Sequence, residues 1–256
     1  MPSSPRAATR ILRPPLKHRR RNGYATKSPP RTAHCTIVVS DVAGFGDPGR
    51  TNANQTRVRD GLWWATERAF LRAGIAWDVC RREDRGDGIL VLAPADIPKP
   101  LFADLLPITL AVALGVHNGA HPPEEQINLR IAIHAGEIHY DRHGVTGAAL
   151  IHAVRLLDST TLKGALAASS EELAIASSSW FYDEVIRHSE HSQATAYTPA
   201  TVTSKETTTS AWIRLVADPS RTDGAAAAGR PLLPISELQA PAVDRAGVRA
   251  GGIPHA

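Results

Sequence analysis

Between residues 34 and 217, short apolar runs alternate with stretches of helical period. That alternation restricts the chain to folds in which helices cover a sheet. "HCTIVVSD" (34–41) reads as a buried strand. Residues 52–73 place Val58, Leu62, Ala65, Ala69 and Phe70 on one stripe, with Asn52 or Asn54 as the cap, and read as a helix. "WDVCRRE" (77–83) and "GILVLAP" (88–94), joined by "DRGD", read as a hairpin. "PLFADLLPITLAVALGVHN" (100–118) is expected to be helical with a kink at Pro107. "INLRIAIHAGEIHY" (127–140) is the strongest strand, alternating around Ile127, Leu129, Ile131 and Ile133. A helix over 147–159, a strand over 173–177, a helix over 180–188 and a closing hairpin over 195–216 follow. The order predicts an α/β (α+β) sandwich of ferredoxin-like kind, with helices on one face of a mostly antiparallel sheet.

The 256 residues suit one domain with tails. No run approaches the roughly 18 apolar residues of a membrane span, and the N-terminus lacks the apolar core of a secretory signal, so the reading is cytoplasmic with no membrane contact. Cys35 and Cys80 both lie in apolar runs, which favours small buried thiols over a disulfide or a metal knuckle. The net charge of +4 is uneven: residues 1–31 carry nine Lys and Arg and no acid, leaving −5 for the remainder. This basic, proline-bearing arm is expected to be disordered. Clustered cations could touch nucleic acid, but a solvated tail or a misplaced start codon carries more weight, and nucleic acid is not expected as a partner. Residues 218–256, rich in Ala, Gly and Pro, read as a second disordered tail. Residues 34–217 are then the catalytic or binding domain.

Two acids stand out by position. Asp41 ends the first strand and Asp87 lies in the turn of the following hairpin, strands that neighbour one another in a ferredoxin-like sheet. Converging carboxylates repel unless a cation lies between them, and hard divalent ions prefer such oxygen ligands. Behind Asp41, "VAGFG" offers backbone N–H groups from Val42, Ala43, Gly44, Phe45 and Gly46 suited to a triphosphate, and Gly86 and Gly88 flank Asp87, where they allow close backbone approach. An Asp-Gly turn with no ligand is the plainer alternative for each acid taken singly. His139 and His143 straddle a turn and could hold zinc, but no third ligand is evident. Trp63 and Trp64 read as core and interface residues of the first helix.

Read together, "VVSDVAGFG", "RGDGILVL", "LRIAIHAGEI" and "GAALIHAVRLL" resemble, in order and spacing, the patterns "DIxGFT", "GDxxL", "LRIGIHxG" and "GxxVNxAxRL" of the class III adenylyl/guanylyl cyclase catalytic domain. The likeness spans residues 34–217. It implies that Asp41, Asp87 and the Val42 carbonyl bind two Mg²⁺ or Mn²⁺ ions, which activate the ribose 3′-hydroxyl and clamp the α-phosphate of a nucleoside triphosphate. It also implies that Arg155 stabilises phosphate charge, that Lys205 in the closing hairpin contacts the polyphosphate, and that His134 is structural. An exposed Arg155–Asp158 ion pair and a solvated Lys205 are the alternatives. The family's ribose-orienting asparagine falls on Ile151, which cannot donate a hydrogen bond; His152 is adjacent. The base is read in this family partly at Glu83, whose glutamate matches the guanine pattern, while the second reading position falls on Gly144, so neither purine pattern is complete. A pyrimidine base, as in short stand-alone cyclases of bacterial antiphage signalling, is the third option. The resemblance further implies a head-to-tail homodimer that shares its active sites. A catalytically degenerate pseudo-cyclase, a dimeric nucleotide-binding regulator, is the competing expectation, with a polymerase-like two-metal phosphotransferase behind it.

Overall fold

The computed structural model describes residues 32–204 and 207–221. The basic arm, Lys205 and residues 222–256 of the C-terminal tail lie outside the described residues. Eight strands form a single sheet: β1 (Thr32–Val42), β2 (Arg81–Asp84), β3 (Ile89–Pro94), β4 (Leu129–Asp141), β5 (Gly144–Thr146), β6 (Leu173–Ser178), β7 (Thr198–Ser204) and β8 (Thr207–Val216). Their order is β2-β3-β1-β4-β6-β8-β7, with β5 paired to β4. β1 runs antiparallel to both β3 and β4, as a ferredoxin-like core requires, and among the described residues only β4 and β6 pair in parallel.

The central strands are apolar on both sides. Val38, Val42, Ile89, Val91, Ile131 and Ile133 enter one core, while Ile37, Val39, Leu90, Leu92, Ala132 and Ala176 enter another. Side chains alternate across a strand, so an uninterrupted apolar run leaves two faces to cover. The first face is covered by α1 (Asn52–Arg72), α2 (Pro100–Asp104), α3 (Leu106–Ala120) and α6 (Ser179–Glu184). The second is covered by α4 (Ala148–Leu157), through Leu150, Ala153 and Leu156, and by α5 (Thr160–Ala167), through Leu162 and Leu166. The expectation of helices on one face is therefore corrected.

Local differences have local causes. Thr51 caps α1: its hydroxyl accepts from Asn54 N–H, and the Asn54 side chain accepts from Thr51 N–H at 2.9 Å. Asn54 thus completes the cap from inside the helix. Residues 77–80 form a turn in place of a strand, which lets Trp77 pack edge-on against Phe70 at 5.2 Å and Trp63 at 6.4 Å. Cys80 is buried in that turn and Cys35 in β1, both as free thiols. The break near Pro107 separates α2 from α3 at Leu105, and Pro107 sits in the first turn of α3, where its missing N–H is harmless. α5 is eight residues long and contains Gly164, and its signal is the Ser159 cap on Leu162 N–H. Beyond β8 the chain stays packed, with Asp218 buried beside Gly115.

Two glycines on helices should respond oppositely to a methyl group. A Cβ on Gly61 would lie 2.2 Å from the buried His117 ring, whereas one on Gly164 meets nothing within 4 Å. Gly61→Ala is expected to cost about 1–3 kcal/mol of stability by overpacking. Gly164→Ala is expected to add about 0.5–1 kcal/mol. Urea titrations of the two variants check both signs.

Candidate active site

The end of β1 and the β2–β3 turn are locked together through backbone. Val42 N–H donates to the Asp87 carbonyl at 2.8 Å. The Ser40 hydroxyl accepts from Ile89 N–H at 3.0 Å and donates to the Ile89 carbonyl at 3.2 Å. Gly88 makes this approach possible, because a Cβ there would lie 1.9 Å from the Ser40 carbonyl oxygen. The other side of the turn is held from α1: Arg59 donates to the Gly86 carbonyl at 2.8 Å and pairs with Asp84. Arg59, which the sequence reading passed over, is therefore what ties the turn to the helix.

These locks bring Asp41 and Asp87 to one corner of the sheet, close enough that the Asp87 charge raises the pKa of Asp41. Burial is the larger cause of that rise, and Arg130 and Lys163 oppose it. Arg130 lies opposite Asp41 in the β1–β4 register and donates to its carboxylate at 2.6 Å. Neither Arg130 nor Lys163 stood out in the sequence, since register and helix packing are what bring them to Asp41. The Arg130 Nε is buried without a partner. The Val42 carbonyl shares the edge on which Val42 N–H meets Asp87, and it receives a long 3.4 Å contact from Phe45 N–H. The two carboxylates and the Val42 carbonyl present only oxygen donors, the kind a hard divalent cation takes, although Asp41 is already paired with Arg130. Among the described residues no group of three or more His, Cys, Asp or Glu converges as a metal site.

In the turn that follows, Ala43 N–H is used up by the Asn128 carbonyl at 2.8 Å, and Phe45 packs against the core. The N–H groups of Gly44 and Gly46 make no hydrogen bond among the described residues, and Gly44 holds a left-handed φ of 65°. Of the five proposed nest residues, those two are the ones free to meet an anion.

Glu83 and Gly144, distant in sequence, adjoin: a Cβ on Gly144 would lie 3.8 Å from Glu83 Oε1. Glu83 is paired with Arg81 at 2.8 Å and with Arg85 at 3.1 Å. His139 and His143 are engaged otherwise than with a metal: His139 bonds Thr32, and His143 accepts from Arg142. Trp63 is partly buried, while Trp64 is exposed beneath Arg68.

Arg155 lies elsewhere. It lines a cavity of about 680 Å³ with His134, Glu137, Ala148, Ala149, Ile151 and His152, and neither Asp41 nor Asp87 borders it. The alternative of an Arg155–Asp158 pair is overturned, because Asp158 pairs with Lys163 at 3.4 Å and Arg155 forms no ion pair among the described residues. His134 contacts the Ser178 hydroxyl at 2.8 Å, and its ring meets that of His152 edge-on at 4.9 Å. Burial, reinforced by His152 and His34, brings the His134 pKa down to about 4, and burial and Arg155 lower that of His152.

By sequence, neither a protein-family profile nor a curated protein matches the chain. By structure, it is similar to the guanylyl cyclase Cya2, at a TM-score of 0.51 and 18% identity over 74% of this chain and 96% of that one. It is similar to the adenylate/guanylate cyclase/hydrolase from Silicibacter pomeroyi, at 0.51 and 19% over 72% and 97%. The catalytic core of a rhodopsin-guanylyl cyclase with converted specificity, in complex with ATPαS, matches at 0.50 and 16% over 72% and 96%. The fold is that of the class III adenylyl/guanylyl cyclase catalytic domain.

Two predictions follow from the electrostatics. Asp41→Ala leaves Arg130 largely buried and unpaired and is expected to cost about 1–3 kcal/mol of stability. Asp87→Ala, at an exposed position, should stay within about 0.5 kcal/mol of wild type in the same denaturation experiment. His134 binds its proton less readily in the fold than in the unfolded chain, so its neutral state stabilises fully above about pH 6.5. That contribution is lost as the pH falls toward 4. The urea midpoint should drop between pH 7 and 5, and drop less steeply in His134→Gln.

Proposed function

We propose that the chain is a class III-type nucleotidyl cyclase, converting a nucleoside triphosphate to a 3′,5′-cyclic monophosphate and pyrophosphate. What supports the reading is the backbone bond from Val42 N–H to the Asp87 carbonyl, which sets Asp87 near enough to Asp41 for its charge to raise the Asp41 pKa, at one corner of a cyclase-type sheet. These residues would hold Mg²⁺ or Mn²⁺, two per site, which when bound would acidify the ribose 3′-hydroxyl and neutralise phosphate charge. The N–H groups of Gly44 and Gly46, which make no hydrogen bond among the described residues, would be available to polyphosphate oxygens. Arg155 supplies a guanidinium with no internal partner among the described residues, available to the α-phosphate. Lys205 remains the candidate second phosphate contact on the closing hairpin.

Arg155 opens onto a cavity that neither carboxylate borders, so one chain carries two half-sites. A head-to-tail homodimer, with the carboxylates of one subunit facing the arginine of the other, completes both. Glu83 beside Gly144 is the base-reading position of this reading. Its carboxylate is shared by two arginines and has no second side chain at Gly144 to work with, which favours neither purine and keeps a pyrimidine base, with an antiphage signalling role, among the substrates to test. No helix among the described residues is long and apolar enough to cross a membrane, and we place the protein in the cytoplasm. Ile151, exposed at the cavity edge, favours the second reading, a pseudo-cyclase that binds nucleotide without turnover.

Incubation with Mn²⁺ and each of the four ribonucleoside triphosphates should yield a cyclic product by mass spectrometry. Asp87→Asn and Arg155→Ala should each lower the rate by about 10²-fold or more. Mixing these two inactive variants should restore about a quarter of wild-type activity, because randomly exchanged dimers regain one intact site in half of the molecules. Nucleotide binding without product from any of the four leaves the pseudo-cyclase; absence of complementation between active-site variants excludes the shared site.

A further inference from the structure

Asp41 and Asp87 reach the same corner in different conditions. Asp87 is exposed, and its side chain makes no hydrogen bond or ion pair among the described residues. Asp41 is already engaged. Arg130 Nη2 donates to Asp41 Oδ2 at 2.6 Å, with only 13% of the arginine side chain and 16% of the aspartate exposed. Register sets this contact, since Asp41 and Arg130 are direct partners across β1 and β4. Their strand neighbours Val39 and Ala132 both enter the second core, and alternate residues share a face, so both charges leave the sheet on the side covered by α4 and α5. The bond is exclusive: among the described residues neither side chain has another hydrogen-bond partner, and the Arg130 Nε is buried with none.

A divalent cation reaching this corner meets the arginine whichever oxygen it takes. At Oδ2 it deprives the guanidinium of its one partner and leaves a largely buried charge with no acceptor, which is costly. At Oδ1 the arginine keeps its bond, but two cations then share one carboxylate in a partly buried site and repel each other. Both routes weaken binding. Lys163, from α5, brings a second positive charge within reach of Asp41 and acts in the same direction. It is exposed and paired with Asp158 at 3.4 Å, so solvent screens it more than it screens Arg130.

We propose that Arg130 is an autoinhibitory latch on Asp41, a built-in competitor that sets the divalent-cation concentration at which the corner fills. The proposal rests on the metal-binding part of the proposed function and concerns how that site is controlled. The latch belongs to the sheet itself, because strand pairing holds its two halves opposite one another.

The test is calorimetric titration of the full chain with Mn²⁺ alone, after chelator treatment and with no nucleotide present. Arg130→Met removes the charge, Arg130→Gln removes it and keeps a donor for Asp41, and Arg130→Lys keeps both charge and donor. The Met and Gln variants should bind Mn²⁺ about tenfold or more tightly than wild type, and the Lys variant within about threefold of it. Adding Asp87→Asn to Arg130→Gln should remove the gain, which places the tightened site at this corner. Circular dichroism establishes that each compared variant is folded, and the Gln variant carries the test if the Met variant is not. Mn²⁺ should also raise the urea midpoint more in Arg130→Gln than in wild type, because a tighter ligand stabilises the fold more. Affinity unchanged or weaker in the folded Gln variant, affinity raised equally in Arg130→Lys, or a gain that survives Asp87→Asn overturns the latch, and cyclic product from wild type then leaves the cyclase reading standing. A gain of affinity in the Gln variant with no cyclic product from wild type and any nucleotide upholds the latch while overturning the cyclase reading. Absence of Mn²⁺ binding in wild type and in every Arg130 variant overturns both.

Discussion

The contact on which the rest depends is a backbone one: the β2–β3 turn lies directly against the last residues of β1. Val42 N–H reaches the Asp87 carbonyl, the Ser40 hydroxyl bridges to Ile89, and Gly88 leaves no side chain between them. Two acids 46 positions apart are thereby held at one corner without any side-chain bond between them. Backbone hydrogen bonds in a buried ladder are costly to break, because an unpaired buried N–H or C=O loses its partner and gains no water. The corner is thus as rigid as the sheet, which is what a site for small hard ligands needs.

Rigidity at this corner comes with electrostatic strain. Burial and Asp87 both disfavour a charged Asp41, and Arg130, from the neighbouring strand, offsets them. The arginine is a stand-in cation in the sense that it satisfies the same carboxylate a divalent ion would take. Arg130 neutralises Asp41 through one guanidinium nitrogen, and its Nε is buried without a partner.

The fold was largely legible because its signals are local. The alternation of "LRIAIH", the helical stripe from Val58 to Phe70 and the Asp-Gly turn each announce an element from a few neighbouring residues. The elements that escaped notice were those shaped by distant partners. The turn at Trp77 exists because its ring packs on Phe70 and Trp63, and α5 is too short and glycine-bearing to stand out. The second helical layer is implicit in "IVV" and "ILVLA", whose contiguous apolar residues need cover on both faces, whereas element order alone points to a one-sided sandwich.

By itself the sequence determined which residues could carry chemistry: acids at the end of a strand and in a turn, glycines beside them, and an arginine on an amphipathic helix. It determined most of the order of strands and helices too, short of β5 and α5, because period and punctuation are properties of neighbours along the chain. Only the tertiary structure decided which charges meet. Arg130 faces Asp41 because of strand register, Asp158 takes Lys163 and leaves Arg155 without an ion pair among the described residues, and Arg155 opens onto a cavity apart from both acids. Pairing across a sheet or between helices depends on three-dimensional register, and a one-residue slip in a strand would turn Asp41 and Arg130 to opposite faces with no change in composition.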